Sequence, residues 1–73
     1  MVHGEDVKGF NELEVNQDIF KAFLNNFYNS WGSEARETII PISVNQVDNY
    51  LRFDYRIYGD KRWLHVKGAN TWY

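Results

Sequence analysis

The chain has no cysteine, one proline, two histidines and no long apolar run, and each shortage narrows what it can be. Without cysteine there is no disulfide and no thiolate metal site, a composition that fits a reducing cytoplasm. His3 and His65 alone are too few to hold a metal, so neither a metal nor any other cofactor is expected. The longest apolar stretch, Ile39-Ile40-Pro41-Ile42, is far short of the roughly 20 residues that a membrane helix needs. Met1 to Asp6 are neither basic nor followed by an apolar run, so no signal peptide is expected. The glycines, Gly4, Gly9, Gly32, Gly59 and Gly68, stand singly and form no phosphate-binding loop; each reads as a turn or breaker.

What the chain does have is aromatic residues: five Phe, five Tyr and three Trp among 73 residues. That length allows one domain, residues 1–73, with a modest core. Aromatic side chains bury large areas, so they can stand in for the staples that small domains often need. Net charge is −2, but unevenly placed. Residues 1–48 carry eight acidic and three basic side chains, whereas residues 49–73 carry two acidic and five basic ones. Opposite signs in the two halves point to a charged surface.

One helix is predicted at about 17–31. Phe20, Phe23, Leu24, Phe27, Tyr28 and Trp31 recur with helical period and form one apolar face. Asn16 is the expected N-cap, Val15 and Phe20 are spaced for a hydrophobic staple, and Asp18 suits the positive helix end. Gly32 is placed to end the helix.

Three strands are expected to follow. Glu37–Val44 is rich in β-branched residues, with Ile40, Ile42 and Val44 alternating toward one face, and Pro41 marks it as an edge. Asn45–Asn49 reads as a turn. Tyr50–Tyr58 and Lys61–Gly68 then form a hairpin about Gly59-Asp60. In that register Tyr58 faces Lys61, Leu64 faces Tyr55 and Val66 faces Phe53. Residues 1–15 read as a partly ordered arm or, over Phe10–Val15, as a short extra strand. The fold class is therefore α+β: one amphipathic helix packed on a three-stranded antiparallel sheet, in the order α-β-β-β.

A single helix covers one sheet face. The other is expected to present Arg52, Asp54, Arg56, Tyr58, Trp63, His65 and Lys67, with Arg56 opposite Trp63, Asp54 opposite His65 and Arg52 opposite Lys67. Trp, Tyr and Arg dominate interface hot spots. The candidate partner-binding residues are Arg52, Arg56, Tyr58, Trp63, His65 and Lys67. Cross-strand pairs that merely stabilise one another are the plain alternative.

No catalytic residue is expected: Asp54 and His65 supply two members of a triad, but no nucleophile stands at a fitting spacing. Lys8-Gly9-Phe10 opens like an RNA-recognition motif and departs from it at Asn11-Glu12. The helix-then-strands order resembles the first part of a double-stranded-RNA-binding domain, but the closing lysine-rich helix of that family has no counterpart here. The expectation is a small non-catalytic interaction module, an accessory or regulatory protein of the size phages encode. It would bind a protein partner or itself through the open face. The alternative is nucleic-acid binding by the basic, aromatic C-terminal hairpin.

Overall fold

Helical periodicity and strand alternation meet in a two-layer α+β fold, seen in a computed structural model that describes residues 3–32 and 34–73. Met1 and Val2, the start of the expected arm, lie outside the described residues. Helix α1, Gln17–Trp31, packs on a four-stranded antiparallel sheet. The strands are β1 (Ile39–Val47), β2 (Tyr50–Ile57), β3 (Asp60–Gly68) and the very short β4 (Thr71–Trp72), lying side by side in chain order. A single-turn helix, α2 (Ala35–Thr38), precedes β1. It takes up the start of the strand expected from Glu37, while β1 runs on to Val47 through residues read as a turn.

The core lies between α1 and the sheet. Phe20, Phe23 and Phe27 share one stripe of the helix, and all three rings meet Phe53 of β2, at centroid distances of 5.7, 5.5 and 5.9 Å. Tyr55 stacks on Phe53, and Trp72 of β4 meets Phe23 and Phe27 edge-on. Asn26 ties the helix to the β3–β4 turn by donating to Ala69 O at 3.0 Å and Asn70 Oδ1 at 2.8 Å.

The helix begins at the expected residue by different means. Asn16 adopts a left-handed conformation (φ 69°) and makes no side-chain cap; its amide donates instead to Gln46 Oε1 at 3.1 Å. The Gln17 amide reaches back to the carbonyls of Phe10 and Leu13, locking the helix onto the preceding turn. Val15 is 59 % exposed, so no staple forms with Phe20. Gly32, at φ 99°, ends the helix as expected.

The N-terminal segment is no strand. It forms 3-10 turns at Gly4–Asp6 and Phe10–Glu12, and Val7, Phe10 and Leu13 enter the core. A parallel bridge joins it to the sheet from Lys8 to Ser43, where Val44 N donates to Lys8 O at 2.9 Å. Gly9 makes this approach feasible: at φ 93° it lies where a Cβ would run into the Val44 carbonyl oxygen.

Two registers differ from expectation. Between Pro41 and Ser43 the β1 ladder slips, with Ile42 as the extra residue, so Ile40 and Val44 face opposite ways. Ile39 and Val44 are buried and Ile40 is 55 % exposed. In the β2–β3 hairpin the loop is Tyr58-Gly59, both left-handed (φ 51° and 85°), and Ile57 pairs with Asp60. Two such residues build the turn whose twist matches the flanking strands. This pairing sets buried Leu51 against buried Val66, whereas the expected one would have left Leu51 opposite Gly68. The slip is an even number of residues, so every side chain keeps its face.

Tyr28 is buried and donates its hydroxyl to Ile39 O at 2.9 Å; burial pushes the phenol up to about 12 from its ordinary 10. A folded-state value above the unfolded one gives stability that is complete below pH 10 and lost as pH rises toward 12. We expect urea denaturation across that range to show a loss that is smaller in Tyr28→Phe, which itself lowers stability by about 1 kcal/mol at neutral pH. Gly9→Ala should destabilise more than Gly59→Ala, whose added methyl meets open space and costs about 1 kcal/mol for its left-handed backbone. Paired melting curves compare the two.

Candidate binding face of the sheet

Strand alternation fixes the open face. Inward Leu51, Phe53, Tyr55 and Ile57 send Tyr50, Arg52, Asp54 and Arg56 outward, and the pairing brings Lys61, Trp63 and His65 beside them. No described element covers this face.

At its centre the Arg52 guanidinium carbon sits 4.5 Å from the Trp63 ring centroid. The same guanidinium holds Asp54, with Nη2 3.1 Å from Oδ1, and Ser43 approaches the other carboxylate oxygen at 3.4 Å. His65 is enclosed by three aromatic rings: Tyr50 at 4.3 Å, Trp63 at 4.9 Å and Tyr73 at 5.1 Å. Tyr73 is held there by reciprocal backbone hydrogen bonds with His65, of 2.7 and 3.0 Å. Lys67 Nζ lies 5.2 Å from the Tyr50 ring centroid.

Four of the six expected residues, Arg52, Trp63, His65 and Lys67, thus join one connected cluster. Arg56 lies on the same face toward the hairpin tip, between Ile40 and Lys61, and Tyr58 sits in the tip itself, 79 % exposed.

The cross-strand pairs are not the expected ones, because the hairpin loop is displaced by one residue. Trp63 faces Asp54 and takes its cation from Arg52 on the diagonal, not from Arg56. His65 faces Arg52, and Asp54 bonds to Arg52 and Ser43 rather than to His65. The like-charged pair is Arg56 with Lys61, not Arg52 with Lys67.

Two members were missed. Tyr50 has the same strand parity as Arg52, a signal that was present in the pattern. Tyr73 had no such signal, since the two-residue β4 that positions it is too short to read.

The charge asymmetry of the chain becomes a spatial one. Among the described residues the open face carries Arg52, Arg56, Lys61 and Lys67 against the carboxylate of Asp54, and the resolved ion pairs leave Arg56, Lys61 and Lys67 without an anion. Glu5, Asp6, Glu12, Glu14 and Asp18 belong to the 3-10 turns, α1 and the segment joining them, in the layer behind the sheet. A shallow depression of ≈ 410 Å³ lined by residues 14–19 lies at the start of α1, apart from the cluster. Among the described residues no three His, Asp or Glu side chains gather as metal ligands, and no helix is long and apolar enough to cross a membrane.

No protein-family model, curated protein or solved structure matches the chain. The reading of this face rests on its own residues.

A double-mutant cycle tests the pairing. Arg52→Ala with Trp63→Ala should show a coupling of about 0.5–1 kcal/mol in chemical denaturation, as for an exposed cation–π pair. Arg56→Ala with Trp63→Ala should show none, the reverse of what the expected register requires.

Proposed function

We propose that the protein is a small non-catalytic interaction module, of accessory or regulatory kind and working in the cytoplasm, that binds a macromolecular partner through the open face of its sheet. The observation that carries this reading is the Arg52–Trp63–His65 cluster, extended by Tyr50, Lys67 and Tyr73 and uncovered by any described element. Its ring contacts and the Arg52–Asp54 pair hold the side chains in place before any partner arrives. Less side-chain entropy then remains to be lost on binding.

The residue types suit a protein partner or a second copy, since Trp, Tyr and Arg supply rigid contact area with hydrogen bonding. For self-association the open face is favoured over the β1 edge. That edge is blunted by Pro41, by the irregularity at Ile42 and by the Lys8 bridge, the devices by which sheets avoid edge pairing. The alternative, a nucleic acid, is favoured by the segregation of charge: Arg52, Arg56, Lys61 and Lys67 lie on the open face, and the N-terminal carboxylates lie in the opposite layer with Lys8 and Lys21.

Capture from extract of the native cell, with and without nuclease, separates these partners. We expect the Arg52→Ala/Trp63→Ala double variant, with its melting temperature within a few degrees of the parent, to lose the captured partner. Retention of every partner and of the parent's sedimentation behaviour by that folded variant would sink the open-face reading.

A further inference from the structure

We infer that the occupant of the open face is single-stranded nucleic acid, its phosphates met by Arg56, Lys61 and Lys67 and its bases stacked on Trp63, Tyr73 and Tyr58. The inference rests on the open face being the binding surface and names the class of partner.

Charge placement is the first ground. Protein–protein interfaces keep charged groups at the rim and apolar groups at the centre. Here an ion pair, Arg52 with Asp54, sits in the middle of the face among aromatic rings, and the aliphatic Ile40 and Val47 lie out on the edge strand β1. The cations at either end lack carboxylate partners among the described residues, and Arg56 stands directly across the ladder from Lys61. Like charges so placed repel, and an anion bound between them relieves the repulsion. From Lys61 to Lys67 the row extends about 20 Å along β3, at strand spacing. It suits a linear polyanion better than a single carboxylate.

Ring exposure is the second ground, and it selects single strands over duplex. Trp63, Tyr73 and Tyr58 are 49, 66 and 79 % exposed. Bases in a duplex have their faces stacked on one another, so such rings would have nothing to receive. Unpaired bases offer a π-face each, and stacking on aromatic side chains beside a basic groove is how sequence-tolerant single-strand binding works. His65 packs edge-on against Trp63 and tilted against Tyr73, and Tyr50 in turn packs edge-on against His65.

The test titrates the whole chain into labelled oligothymidylate and oligouridylate of about ten nucleotides and into a duplex of the same length, following fluorescence anisotropy and backbone amide NMR shifts. With three or four phosphates neutralised, single-strand affinity should fall roughly 20- to 50-fold between about 50 and 200 mM salt. Amide shifts should cluster at Arg56, Tyr58, Lys61, Trp63, Lys67 and Tyr73. Trp63→Ala should weaken binding by about tenfold or more. Lys67→Glu, a change at an exposed position outside the core, should weaken it and flatten the salt dependence. Tighter binding to duplex, shifts confined to the helical layer, or unchanged affinity in both variants would overturn the inference. So would absence of binding at low salt, but loss of partner capture by the Arg52→Ala/Trp63→Ala variant would then still uphold the open face as a surface for protein.

Discussion

One aromatic contact organises the molecule: the ring of Phe53, gripped by Phe20, Phe23 and Phe27 from a single stripe of α1. In a chain with no disulfide, burial of such rings is the main source of stability available. It also determines orientation. Once Phe53 points at the helix, alternation sends Arg52 and Asp54 the other way, and pairing carries Trp63 and His65 with them. The candidate binding face is therefore the obverse of the core, and any substitution that rotated β2 would dismantle both.

The N-terminal segment adds a second constraint. Through Phe10 it joins the aromatic core, through Lys21 and Glu5 it is tied to the helix at 3.6 Å, and through Lys8 it bonds to β1. A strand with an exposed ladder would otherwise invite indiscriminate pairing. On the β1 side, the accessible part of the sheet is therefore its face rather than its edge.

Much of this could be read from residue pattern. The buried helix stripe and the set of outward hairpin residues follow from periodicity, which records burial directly, while Gly32 marks the helix end and Pro41 the edge strand. The errors fell where periodicity is silent. A hairpin displaced by one loop residue keeps the same faces, so alternation could not choose between Tyr58-Gly59 and Gly59-Asp60; the choice depended on Leu51 meeting Val66. The irregularity at Ile42 left no compositional mark beyond the adjacent Pro41. Asn16 has the chemistry of a cap, but a left-handed backbone turns its side chain to Gln46 instead. Tyr73 joins the cluster through a strand of two residues, too short to show any period.

The separation of charge between the two layers gives the molecule an electric dipole that its net charge of −2 conceals. At long range a polyanion meets a repulsive body; within a Debye length, about 8 Å at physiological ionic strength, it meets either an attractive side or a repulsive one. The field therefore exerts a torque before contact is made. Approaches through the helical layer are turned away and those through the sheet are drawn in. A net-acidic chain can in this way discriminate by orientation, and added salt would weaken the misdirection as well as the attraction.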